Sequence, residues 1–144
     1  MTDKPVRILG VDPGDRRVGL AIADSSLRVA TGFGVIEYGG RKQFIKQLGL
    51  IAGDEDISLI VMGLPKNMDG SEGEAAKKSR RLAETIRERL NIEVELVDER
   101  LTTHQAIKQV HETGGKAGAD KGRVDMLSAI VILQSYLDGK ANKN

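Results

Sequence analysis

The chain of 144 residues contains no cysteine. It therefore has no disulfide, no thiolate zinc site and no cysteine nucleophile, and any chemistry must rest on carboxylates, hydroxyls or bases. Aromatics are nearly as scarce. Phe33, Tyr38, Phe44 and Tyr136 are the four present, too scattered along the chain to suggest the stacking platform that reads single-stranded bases. No apolar run approaches the roughly 20 residues of a membrane span. The opening "MTDKPVRILG" has no basic segment followed by a long apolar stretch, so it does not read as a secretory signal. The expected location is the cytoplasm, with no membrane partner. Nor does one sign of charge prevail: 22 basic residues against 21 acidic give a net charge of +1. Bulk electrostatics does not announce a nucleic-acid binder, and any basic surface must be local.

With 40% hydrophobic and 30% charged residues, the composition is that of a soluble globular protein. At this length one core is expected, burying roughly two-thirds of the unfolded surface. The expectation is a single domain over 1–144, fraying at about 1–5 and 139–144. Residues 6–11 and 18–23 flank "DPGDRR" as strands, and "VATGFGVIEY" offers a third, glycine-interrupted strand. In "RKQFIKQLGLIAG", Phe44, Ile45, Leu48 and Ile51 fall at helical spacing, with Gly53 as the stop. "ISLIVMGLP" is a continuous apolar run suited to a parallel strand covered on both faces. A helix over about 72–90 follows, with Ser71 and Glu74 in a capping-box pattern. "IEVELVDER" is the fifth strand. Thr102 and Gln105 match another capping box, opening a helix to about Thr113, and "GKAGADKG" reads as a loop. The final helix, about 123–137, is apolar over most of its circumference and should be largely buried.

Strands first, then alternating helix and strand, predict an α/β fold with a mixed five-stranded sheet flanked by helices. In such sheets ligands gather at the carboxyl ends of parallel strands. Asp12 ends the first strand, Asn67 and Asp69 follow the fourth, Asp98 and Glu99 end the fifth, and Asp125 begins the last helix. Carboxylate oxygens are hard ligands that select Mg²⁺ or Mn²⁺, and two such ions about 4 Å apart can activate a water and stabilise a leaving oxygen. Taken singly, each acid has a plainer reading. Asp12 suits an Asx turn in "DPGD". Asp125 sits favourably near a helix N-terminus, a contribution of roughly 0.3–1 kcal/mol, and Glu99 can pair with Arg100 on the surface. Their joint placement favours a site.

"GVDPGDRRVGLAIAD", "GLPKNMDGS", "VDERLTT" and "VDMLSAIVIL" together resemble the YqgF family of bacterial proteins, described as pre-16S ribosomal RNA nucleases and earlier as Holliday junction resolvases. The matches span residues 10–133. The resemblance implies a ribonuclease H-like fold and divalent-metal nuclease chemistry, with Asp12, Glu99 and Asp125 as catalytic acids and ligands of Mg²⁺ or Mn²⁺. Asp98 is the competing neighbour. Strand side chains alternate faces, so Asp98 and Glu99 do not both enter the site, and the family pattern favours Glu99. Such sites often carry a fourth acid; none stands out here.

Arg16, Arg17, Arg100, Lys121 and Arg123 adjoin the acids in sequence. Arginine can grip phosphate bidentately, and charge balancing of the carboxylates is the competing role. Arg17, Asn67, Arg100, Lys121 and Arg123 are the expected substrate contacts. "KKSRR", residues 77–81, reads as a solvated helix face, with Lys78 and Arg81 pointing outward. Asn67 and Ser71 either meet substrate or order their loop. His104 and His111, seven residues apart, lack the four-residue spacing of paired zinc ligands.

An actin-like ATPase or sugar kinase would need two domains around its nucleotide, and no Walker P-loop occurs. The expected function is a hydrolase acting on ester bonds: a divalent-metal-dependent nuclease in 5′ end processing of pre-16S rRNA during ribosome biogenesis. The alternatives are a Holliday junction resolvase acting on DNA and a noncatalytic RNA-binding ribosome-assembly factor, against which three intact acids argue. The expected partners are nucleic acid, pre-rRNA ahead of branched DNA, and ribosomal particles. Monomer and dimer are both left open.

Overall fold

A computed structural model describes residues 6–14, 16–99 and 121–142. The elements run β1 (Arg7–Asp12), β2 (Arg17–Asp24), β3 (Thr31–Glu37), α1 (Arg41–Asp54), β4 (Leu59–Leu64), α2 (Glu74–Leu90), β5 (Glu93–Asp98) and α3 (Lys121–Asn142). The sheet order is β3-β2-β1-β4-β5. β2 is antiparallel to both β1 and β3, whereas β4 and β5 run parallel to β1. The mixed five-stranded α/β sheet anticipated from the sequence is the one formed. The expected helix from Thr102, its capping box, His104, His111 and residues 115–120 of the "GKAGADKG" loop lie outside the described residues, whereas Lys121 and Gly122, expected in that loop, already belong to α3.

Strand alternation divides the core into two layers. Leu9, Val11, Leu20, Ile60 and Met62 face α1 and α2, where Phe44, Leu48, Leu82 and Ile86 meet them. Ile8, Ala21, Ala23 and Val61 face the other way, against Ala129, Ile132, Leu133 and Leu137 of α3. β1 is thus covered on both sides, as its near-continuous apolar sequence requires. Leu133 is wholly buried, and trimming such a side chain to alanine costs about 2–5 kcal/mol.

Two local expectations are corrected. The capping box at α2 does not form: the helix starts at Glu74 after Gly73, with no side-chain cap. Ser71 instead points its backbone N–H and its hydroxyl at Asp69 Oδ1, at 2.9 and 2.6 Å. An aspartate two residues back competes successfully for those donors. The last helix is also longer than its apolar stripe, reaching Asn142, because polar residues continue a helix once packing has nucleated it. Tyr136 ties that helix to β5. Burial, and then a hydrogen bond to Glu95, push its hydroxyl pKa well above the ordinary 10.0. Among the described residues, no helix is long and apolar enough to cross a membrane.

Candidate active site

Asp12 closes β1 with the same parity as Ile8 and Gly10, which places it on the α3 face of the sheet. It is 4% exposed. Directly across the antiparallel ladder stands Gly19. A Cβ on Gly19 would lie 1.9 Å from the carbonyl oxygen of Asp125, so the missing side chain is what lets α3 descend onto β2 at this point. A glycine at that register brings the backbone of Asp125 next to the strand pair that carries Asp12.

Glu99 follows β5 and is 9% exposed. Val97 packs with the α3 layer while Leu96 packs with the opposite one. Continuing that alternation past the strand end sends Glu99 toward α3 and Asp98 away from it. Gly63 of β4 gives the independent check: a Cβ there would meet the Glu99 carboxyl at 3.0 Å and Ile132 Cδ1 at 2.8 Å. The Glu99 carboxylate therefore lies over the glycine, on the face that holds Asp12. Asp98 is partly exposed.

Asp125 arrives from the first turns of α3 and is engaged by Arg17, whose Nε donates to Oδ2 at 2.8 Å. The two side chains are 33% and 21% exposed. At that exposure solvent screens the pair, and its contribution to stability is about 0.2–1 kcal/mol. Its value lies in fixing the direction of Asp125. Ser128, one turn further on the buried side of α3, is 0% exposed, and its Oγ makes no hydrogen bond among the described residues. The lone hydroxyl within "MLSAIVIL" was the signal for it, and sequence reasoning passed it by.

The structure thus brings Asp12, Glu99 and Asp125 to one edge, on one face. Their donors are all hard oxygens, the chemistry that suits Mg²⁺ or Mn²⁺. Among the described residues, however, no three acidic or histidine side chains already stand grouped to hold an ion. Of the expected substrate contacts, Arg17 spends one nitrogen on Asp125, and Arg123 is exposed on α3. Asn67 donates to Ser71 Oγ at 3.0 Å, ordering its own loop. Arg100 and the side chain of Lys121 lie outside the described residues.

The RuvX family, described as Holliday junction resolvase, matches residues 6–139. The chain belongs to the RuvX family. This RuvX chain is 41% identical over 135 residues to a protein of Anaeromyxobacter sp. (strain Fw109-5), covering 94% of this chain and 98% of the relative. It is 38% identical over 136 residues to one from Clostridioides difficile (strain 630), covering 94% and 96%. Both carry the name "Putative pre-16S rRNA nuclease". In fold the RuvX chain is similar to Thermus thermophilus RuvC in complex with a Holliday junction substrate, at TM-score 0.59 and 10% identity, covering 95% and 96% of the two chains. It is likewise similar to the fowlpox virus Holliday junction resolvase, at TM-score 0.55 and 13% identity, covering 93% and 99%. These agree with the resemblance drawn from the four motifs and with the ribonuclease H-like fold class it implied.

Proposed function

We propose that this chain is a divalent-metal-dependent nuclease that hydrolyses phosphodiester bonds, with the 5′ end of pre-16S rRNA as its substrate. The observation that carries the reading is the burial of two carboxylates, Asp12 and Glu99, on one face of the sheet's carboxyl edge. Hard carboxylate oxygens held on one face at the carboxyl ends of the strands are the kind of donor set that suits a divalent cation. Asp12, Glu99 and Asp125 are the residues that would hold Mg²⁺ or Mn²⁺. When bound, the ion supplies activation of a water and stabilisation of the leaving oxygen. Arg17 keeps Asp125 aimed through Nε, leaving its terminal nitrogens as donors for a phosphate oxygen. Arg123, Lys121 and Arg100 bring positive charge to the polynucleotide backbone. Asn67, bonded to Ser71, shapes the rim that the substrate crosses.

The relatives' name supports the RNA substrate, whereas the family description and the junction-bound fold neighbour favour a second reading as a DNA junction resolvase. Incubating the protein and its Asp12→Asn variant with Mn²⁺, labelled pre-16S RNA or precursor particles, and a four-way DNA junction separates the two. The expected outcome is Asp12-dependent cleavage of the precursor, with pre-16S RNA accumulating when the protein is depleted in cells. Paired nicking of the junction with normal rRNA ends establishes the resolvase, and equal cleavage by Asp12→Asn removes the site.

A further inference from the structure

A second feature lies on the opposite face of the same sheet edge. Pro13 and Gly14, immediately after Asp12, and Pro65, immediately after β4, open onto a cavity of about 450 Å³ between the sheet, α1 and α2. That volume is within the range of small-ligand pockets. Its floor is apolar, formed by Val18 and Leu82, which are 1% and 7% exposed. Tyr38 forms a wall, its ring held against Phe44 at a centroid distance of 5.7 Å. Three cations stand around it: Arg41 from the first turn of α1, and Lys78 and Arg81, which share a face of α2 three residues apart. Among the described residues no acid lines it, and neither Arg41 nor Arg81 is ion-paired. Lys78 Nζ sits 5.8 Å from the centre of the Tyr38 ring.

An apolar floor with an aromatic wall and a cationic rim is complementary to a nucleobase on one side and a phosphate on the other. A duplex keeps its bases in stacked pairs and cannot insert one here without unstacking, whereas a single strand offers them freely. We propose that this cavity is a nucleotide subsite for single-stranded RNA, taking one nucleotide that flanks the bond cut at Asp12. Pro13 and Gly14, which line the cavity and directly follow Asp12 in the chain, give a strand leaving the carboxylates on the α3 face a route over the sheet edge toward it. The inference rests on the hydrolytic reading for the identity of the strand, and it gives a role to "KKSRR", whose helix face the sequence alone suggests is merely solvated.

The test uses the full chain without divalent metal, so that nothing is cleaved, and measures anisotropy of a fluorescein-labelled 12-nucleotide RNA across a salt series. The double substitution of Arg41→Gln and Arg81→Gln is expected to raise Kd at least tenfold and to reduce the slope of log K against log salt by about 0.7 for each phosphate no longer neutralised. Ala75→Trp, an exposed helix position on the cavity lining, fills the space without touching the charges; it should weaken binding while leaving the slope unchanged. Arg80→Gln, whose side chain is committed to Glu72 at 2.6 Å, is the control and should bind as wild type. Adenosine 5′-monophosphate should compete with the RNA better than inorganic phosphate does. Unchanged Kd in both the double variant and Ala75→Trp overturns the subsite, and so does equal loss of affinity for a blunt duplex. If the protein cleaves RNA while these variants bind normally, the subsite alone falls. Binding that depends on Arg41 and Arg81 in a protein that never cleaves leaves the subsite standing and removes the hydrolytic reading.

Discussion

Replacing Gly19 by alanine tests the join between fold and site at a single atom. The added Cβ would fall 1.9 Å from the Asp125 carbonyl oxygen, 2.3 Å from its carbonyl carbon and 3.0 Å from the Met126 nitrogen. All three are backbone atoms, so no side chain can swing aside. Restoring an ordinary contact requires the start of α3 to lift by about 1.5 Å. Overpacking of this kind costs about 1–3 kcal/mol, which for a chain of this size lowers Tm by roughly 3–12 °C. The protein should still be folded at 25 °C. Turnover should fall much further, by about 100-fold, because a displacement near 1 Å at a reacting group costs that much and Asp125 rides on the displaced turn. Thermal melts and single-turnover cleavage of labelled precursor RNA read the two effects separately. Gly34→Ala in β3, where a Cβ meets nothing within 4 Å, is the control and should change stability by less than about 0.5 kcal/mol. A Gly19→Ala protein with wild-type Tm, or one whose turnover falls only in proportion to its unfolded fraction, refutes the placement of α3 over β2.

Glu99→Gln should abolish most turnover and preserve RNA binding, while Asp98→Asn should be nearly silent; the reverse pattern in a cleavage assay would reassign the fifth-strand acid. Arg17→Ala should lower kcat more than it raises KM, because it releases Asp125, and should cost less than about 1 kcal/mol in urea unfolding. A large rise in KM with kcat intact would make Arg17 a substrate contact alone. Tyr136 supplies the pH dependence. Its folded pKa is raised by burial and by Glu95, so its contribution to stability is complete below the ordinary pKa of 10.0 and is lost as pH rises beyond it. Urea midpoints measured between pH 9 and 11 should fall in the wild type and fall less in Tyr136→Phe.

What the sequence determined by itself is local. Apolar runs ending in Asp12 and in Leu64, and the helical spacing of Phe44, Ile45 and Leu48, specify strands and helices because backbone period and side-chain direction are set within a few residues. The acids at the strand ends were legible for the same reason. Tertiary structure decided what depends on residues distant in the chain. Gly63, on a neighbouring strand, leaves the hollow that Glu99 covers. Arg17 finds its carboxylate 108 residues away, a pairing that adjacency to Asp12 in sequence could not reveal. Ser71 does not cap α2 because Asp69 accepts both its backbone N–H and its hydroxyl, leaving Gly73 before the first turn with no side-chain cap. The outward faces of Lys78 and Arg81 became the rim of a cavity only when Arg41 and Tyr38 were folded beside them. Periodicity fixes which side of a helix is polar; only packing determines what that side looks onto.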